Sequence, residues 1–157
     1  MRIVIVAPHA DDEIIGCCHV LMNNIGMCSV YFGSDAERLS AEASSGFFNF
    51  IRLDLVGFNR IVNKDFKFFF PDPYFELHPE HRRWGAIGVE YLRKGFDVTF
   101  YSTNMNAPYI HELKASRGKL ELLNEFYPEK SDLWKYDHKY FLFEGYTKWL
   151  INPIPNE

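Results

Sequence analysis

Hydrophobic and polar residues follow one another along the chain in blocks that predict alternating strands and helices. Arg2–Ala7 is a continuous apolar run rich in β-branched side chains, which is typical of a central parallel strand covered on both faces. A helical pattern follows at about residues 13–24, and Cys28–Phe32 predicts a second strand. We expect further strands at 51–58, 66–70 and 97–102, and further helices at 35–49, 82–94 and 109–126.

This alternation predicts an α/β fold, a three-layer sandwich around a mainly parallel sheet. The chain has 157 residues, the length of one ordinary domain, so we expect residues 1–157 to form a single domain. The cysteines, Cys17, Cys18 and Cys28, are odd in number and lack the CxxC spacing. They predict reduced, core-packed thiols and a cytoplasmic location.

Charge and hydropathy limit the partners that we expect. The formal net charge is -4, and the Lys and Arg residues are scattered, so no nucleic-acid patch is predicted. The apolar run at the start of the chain is too short to span a membrane. Aromatic residues make up 17% of this short chain, which makes a homo-oligomer plausible.

The first group of chemically active residues follows the first strand, at His9-Ala10-Asp11-Asp12-Glu13. Open α/β sheets bind their ligands where strands end and helices begin. His9 and Asp12, three residues apart, can turn toward one divalent metal ion. Asp11 would then lie within a few ångströms of a water on that ion.

The second group, Glu76-Leu77-His78-Pro79-Glu80-His81, also precedes a predicted helix. If both groups meet at one edge of the sheet, a metal could bind His9, Asp12 and His81 and keep an open position for water. Non-haem iron enzymes also use two histidines and one carboxylate, so the spacing leaves the choice between zinc and iron open.

The two motifs together resemble a known family. Pro8-His9-Ala10-Asp11-Asp12-Glu13 after an apolar strand is similar to the (A/P)HPDDE signature of the PIG-L/LmbE-like zinc-dependent de-N-acetylases. Residues 78–82, His-Pro-Glu-His-Arg, resemble that family's later HPDH motif. The resemblance implies a Rossmann-like fold and hydrolysis of the N-acetyl group of N-acetylglucosamine conjugates or related amides. The chain would be a shortened domain of that family.

The resemblance also implies roles for individual residues. His9, Asp12 and His81 would bind one Zn²⁺ per chain, Asp11 would be the general base, and His78 would stabilise the oxyanion or act as an acid. Arg38, together with Glu42 on the second predicted helix, matches positions associated with an acetamido-sugar substrate. The predicted protein is therefore a metal-dependent amidohydrolase. A non-catalytic zinc- or sugar-binding module and a non-haem iron enzyme are the alternatives.

Overall fold

The computed structural model describes residues 2–34, 49–51, 53–112, 117–134 and 143–149. Within these residues a six-stranded sheet forms the centre of the molecule, and a two-stranded sheet lies apart from it. The strands, in chain order, are β1 Arg2–Ala7, β2 Cys28–Phe32, β3 Asn49–Ile51, β4 Phe66–Pro71, β5 Asp97–Tyr101, β6 His111–Glu112, β7 Phe143–Glu144 and β8 Tyr146–Thr147. The helices are α1 Asp12–Asn23, α2 Leu55–Ile61, α3 Pro79–Arg93 and α4 Arg117–Phe126, followed by a 3₁₀ helix at Pro128–Leu133.

The large sheet has the strand order β3-β2-β1-β4-β5-β8. Its first five strands are parallel, and β8 adds to β5 in the antiparallel direction. In register, Val4 of β1 lies opposite both Ser29 of β2 and Phe68 of β4. Strands β2 and β3 therefore follow one another on one side of β1, and β4 and β5 follow one another on its other side. The crevice between β1 and β4, where the strand order reverses, is where such sheets bind ligands.

Both faces of the sheet are covered, as expected for parallel strands. Ile3, Ile5 and Ala7 point to a core shared with α1, whereas Val4 and Val6 point to a second core beneath α3. This confirms the predicted α/β sandwich with its mainly parallel sheet. On the α3 side, Gly88 allows close packing, since a Cβ there would lie 2.7 Å from the Cβ of Phe70.

Two of the expected elements are wrong in type or extent. Of the strand expected at 51–58, only Ile51 lies in a strand, at the end of β3. The chain then forms α2, because the Asp54 side chain accepts a hydrogen bond from the amide of Gly57 and caps the helix. The helix expected at 109–126 begins only at Arg117, after strand β6. The helix expected at 35–49 lies outside the described residues except for Asn49, which is in β3.

The three cysteines are buried and free, as predicted. Burial raises the pKa of the Cys18 thiol to about 12 and that of Cys28 to about 11, so these thiols stay protonated and pack as small apolar groups. In the part of the chain that the structure describes, no helix is both long enough and apolar enough to cross a membrane.

Candidate metal centre

The two predicted motifs meet at the crevice between β1 and β4. His9 follows β1, and Asp12 is the first residue of α1. His78 is the N-cap of α3, and His81 lies in the first turn of that helix. The carboxyl ends of two neighbouring parallel strands therefore bring together residues 72 positions apart in sequence.

Three side-chain atoms converge on one point. The Nδ1 atom of His9 lies 3.0 Å from the Nε2 atom of His81. The Oδ2 atom of Asp12 lies 3.0 Å from that Nε2 atom and 3.4 Å from the Nδ1 atom of His9. Ligands at zinc-bond lengths of about 2.0–2.1 Å in a tetrahedral site are about 3.3 Å apart. The triangle therefore has the size that one metal ion requires.

His78 lies beside this triangle, and its ring centroid is 4.6 Å from that of His9. One nitrogen from each of His9, His78 and His81 lies within 4.8 Å of the others, so the three histidines could hold a metal ion. However, the Nδ1 atom of His78 accepts a hydrogen bond from the amide of Glu80 at 3.1 Å. In the neutral ring the proton is therefore on Nε2, which is a hydrogen-bond donor. The atoms of the triangle with Asp12 lie closer together, at 3.0–3.4 Å.

The electrostatics of the triangle favour a cation. Burial opposes ionisation of Asp12, but hydrogen bonds from His81 and His9 outweigh it and hold the pKa of Asp12 well below its ordinary value. Burial also opposes the charged form of His81, yet the neighbouring carboxylates of Asp12 and Glu76 raise the pKa of His81 to about 10. The site thus attracts positive charge to the centre of the triangle formed by Asp12, His81 and His9. A proton there can bridge only one pair of these atoms, whereas a metal ion contacts all three.

Behind His81 lies a buried hydrogen-bond chain that the sequence did not reveal. The Oγ1 atom of Thr103 is 3.1 Å from the Nδ1 atom of His81 and donates to Oε2 of Glu76 at 2.9 Å. The other oxygen of Glu76 accepts the amide of Thr103 at 2.7 Å. Because the hydroxyl proton goes to the carboxylate, Thr103 accepts the Nδ1 proton of His81. When the ring is neutral, the Nε2 lone pair of His81 is left facing the triangle, which is the usual way that a metal-binding histidine is oriented.

Asp11 occupies a strained position at the start of α1. Its φ of 113° is the only positive value among the described non-glycine residues, a conformation that costs about 1–3 kcal/mol. Its carbonyl accepts the amides of Ile14 and Ile15, while its carboxylate lies 3.9 Å from Nζ of Lys130. Lys130 also donates to the carbonyl of Ala10. The strain is thus held in place from both sides, and strain of this kind is concentrated at functional sites.

Glu13 supports the turn from inside the protein. It is fully buried, accepts the amide of Asp11 at 3.0 Å and receives a hydrogen bond from the hydroxyl of Tyr127. Burial raises the pKa of Glu13 to about 7, although these hydrogen bonds oppose the shift. The motif's third acidic residue therefore orients its backbone rather than facing the cavity.

A cavity of about 360 Å³ opens over these groups, which is within the usual range of about 300–1,000 Å³ for small-molecule sites. The residues that line it come from helices α1 and α3, the loops after β1, β4 and β5, and the 3₁₀ helix. They are His9, Asp11, Asp12, Ile15, Glu76, Leu77, His78, His81, Thr103, Asn104, Lys130 and Leu133.

The structure brings together five of the predicted site residues: His9, Asp11, Asp12, His78 and His81. Arg38 and Glu42 lie outside the described residues. Sequence analysis missed Thr103 and Lys130. Thr103 follows the carboxyl end of β5, and this position next to the binding edge was its only signal.

Comparisons with known proteins identify the fold. No protein-family model matches the chain, and no curated protein is significantly similar to it. The crystal structure of the conserved protein TT1542 from Thermus thermophilus is similar, with a TM-score of 0.57 and 18% sequence identity. The alignment covers 99% of this chain and 98% of that chain. At this identity the likeness establishes the α/β fold, and chemistry has to be argued from the site.

Proposed function

We propose that this protein is a zinc-dependent hydrolase that removes an N-acetyl or related N-acyl group from an amino sugar or sugar-like amine. The observation that carries the proposal is the triangle of His9, Asp12 and His81, with 3.0–3.4 Å between its ligand atoms, at the base of an open cavity. A purely structural zinc site would have four protein ligands. The proposed set has three and leaves a position that faces the cavity.

The donor set fits zinc. Two imidazole nitrogens and one carboxylate oxygen are a common ligand combination of hydrolytic zinc sites, and we propose one ion per chain. When bound, such an ion lowers the pKa of a coordinated water to about 7 and polarises a carbonyl group. Iron can use the same ligand types, so metal analysis belongs to the test.

Asp11 is the proposed general base. Asp11 lines the cavity next to the proposed ligand Asp12, and its side chain makes no hydrogen bond that caps α1. The Nζ atom of Lys130 lies 3.9 Å from this carboxylate. Asp11 would take a proton from the attacking water and deliver it to the amine nitrogen as the C–N bond breaks. The products are a carboxylate and a free amine.

His78 is the proposed oxyanion donor. Its Nδ1 atom is engaged as the cap of α3, so its Nε2 proton can be donated to the carbonyl oxygen as that oxygen gains negative charge. Desolvation and the nearby ring of His9 lower the pKa of His78, which favours the neutral ring that can play this part. Losing one such donor typically costs about 10²–10³ in kcat.

The sugar-like nature of the amine rests on the resemblance of the two motifs, which also assigns Arg38 to the substrate. A cytoplasmic location accords with the three free thiols. The sugar-like substrate and the cytoplasmic location are therefore parts of the proposal.

The test combines metal analysis with an assay for released amine. The purified protein should bind about one zinc ion per chain and release amine from N-acetylglucosamine conjugates. Asp11→Asn should retain the ion while turnover falls by about 10²–10⁴. Bound zinc without hydrolysis of any amide in a broad panel would contradict the enzyme and support the binding module. Bound iron with oxygen-dependent turnover would support the iron enzyme.

A further inference from the structure

Two leucines at the mouth of the cavity are strongly exposed. Leu77 has 75% of its surface accessible, and Leu133 has 56%. They lie on different elements, the loop after β4 and the end of the 3₁₀ helix, yet both line the same cavity. Single exposed leucines are ordinary on protein surfaces, but apolar side chains that share the opening of a binding cavity form part of a ligand surface.

The backbone at Leu77 is held firmly in place. The Nη1 atom of Arg82 donates to the carbonyl of Glu76 at 3.1 Å and to that of Leu77 itself at 2.8 Å. The next residue, His78, caps α3 with its side chain. Leu77 is therefore presented to solvent by a fixed loop, so its exposure is not the result of a loosely held chain.

Leu133 is held in a similar way. The next residue, Trp134, is buried, and its indole Nε1 donates to the Oδ1 atom of Asn124 at 3.1 Å. In a 3₁₀ helix, side chains three residues apart lie on the same face. Leu133 thus lies on the face of Lys130, which contacts the Asp11 turn. This face runs from the charged base of the cavity to its apolar mouth.

The base of the cavity also contributes an apolar side chain. Ile15, in the first turns of α1, is buried to 4% exposure and lines the cavity next to the metal-binding residues. Apolar surface is thus present both beside the reacting groups and at the opening.

We infer that the substrate carries an apolar group, an alkyl chain or an aromatic ring, that leaves the cavity between Leu77 and Leu133. This inference rests on the proposed amide hydrolysis and specifies its substrate class. The apolar group can be attached on the acyl side of the amide or on the amine side, as an aglycone. The same two leucines would bind it in either case, because they recognise only its apolar surface.

Two substrate series distinguish these sources. The first consists of N-acetyl-, N-butanoyl- and N-hexanoylglucosamine, and the second of the methyl, butyl and octyl glycosides of N-acetylglucosamine. With the zinc-loaded protein, kcat/KM should rise by up to about fourfold per methylene in one series. The series that responds identifies the side of the amide that carries the apolar group.

Variants test whether the leucines cause this rise. Leu77→Ser, Leu133→Ser and the double variant should each reduce the ratio of kcat/KM between the longest and shortest member, and the double variant should reduce it most. Ile25→Ser is the matched control, because Ile25 is 65% exposed and does not line the cavity. Its ratio should equal that of the unchanged protein. The three substituted positions are exposed, so all four variants should fold.

The inference is overturned if both series are flat in the unchanged protein, or if the double variant keeps the full ratio. If no amide is hydrolysed at all, the proposed function fails, and calorimetry then tests the leucines by themselves. N-hexanoylglucosamine or octyl N-acetylglucosaminide should bind more tightly than methyl N-acetylglucosaminide, and the double variant should abolish the difference. Equal binding of the long and short compounds would refute the apolar subsite.

Discussion

Replacing Thr103 with valine tests the buried chain behind His81. Valine has nearly the shape of threonine, but it can neither accept the Nδ1 proton of His81 nor donate to Glu76. In the structure Thr103 makes these contacts at 3.1 Å and 2.9 Å. Without it, the direct separation from His81 Nδ1 to Glu76 is 3.5 Å, which exceeds the usual hydrogen-bond range of about 2.7–3.2 Å.

The size of the effect follows from the burial of these groups. His81 and Glu76 are each only 3% exposed, so water does not readily replace the lost hydroxyl. A buried polar group without its partner costs about 1–3 kcal/mol. Loss of an outer hydrogen bond to a metal-binding histidine typically weakens metal affinity by about 10–100-fold, which corresponds to about 1.4–2.8 kcal/mol. The two figures agree, so we expect zinc affinity to fall by that factor.

The assay is competition for zinc between the protein and a chromophoric chelator at fixed pH. Thr103→Ser keeps the hydroxyl and is the matched control, so its zinc affinity should stay close to that of the unchanged protein. Glu76→Gln, which removes the charge at the end of the chain, should weaken binding in the same direction as Thr103→Val. A Thr103→Val protein that folds normally and binds zinc within twofold of the original would refute the orienting role.

Three further predictions concern stability. Gly88→Ala should destabilise the fold by about 1–3 kcal/mol, because its Cβ would lie 2.7 Å from Phe70 and 2.9 Å from Phe100. The loss would be measured as a lower midpoint of urea unfolding, and an unchanged midpoint would refute the tight packing of α3. Burial raises the pKa of Glu13 from 4.5 to about 7, so folding takes up a proton between these values, and this contribution to stability is present at low pH and lost as pH rises through 7. Glu13→Gln should therefore flatten the fall in unfolding free energy between pH 4.5 and 7, whereas parallel pH curves for the two proteins would contradict the shift. Zinc at 100 times its Kd should stabilise the chelator-treated protein by about 2.7 kcal/mol, which calorimetry would detect as a raised Tm. His81→Ala should abolish this increase in Tm, and an equal increase in that variant would exclude His81 as a ligand.

The parts of the fold and site that were predictable are those encoded over short stretches of sequence. The apolar run at β1 and the acidic residues after it mark a strand that passes into a helix, and the structure has both there. The motif at His78 and His81 likewise begins α3. Since parallel strands end at one edge of the sheet, two such junctions were enough to anticipate that these residues meet.

The parts that could not be predicted depend on long-range packing. The stretch at 51–58 has the alternation of a strand, but Asp54 provides a helix cap and Phe58 packs against Tyr31, with ring centroids 4.3 Å apart. The strand-like alternation and the helix cap are both local signals, and tertiary contacts decide between them. Thr103 and Lys130 carry no motif, because each acts through a contact with a residue more than 20 positions away.

During synthesis, the strand that lies in the middle of the finished sheet is the first to appear. The ribosome adds about 5–20 residues per second, so β1 and β2 are available seconds before β4 at Phe66–Pro71. Until then one side of β1 exposes unpaired backbone groups, as an edge strand does. The nascent chain at that stage contains only His9 and Asp12 of the proposed ligands. The proposed ligand set is therefore complete only when His81 has emerged. The unfinished half-sheet is the stage at which the chain is most exposed to pairing with other strands.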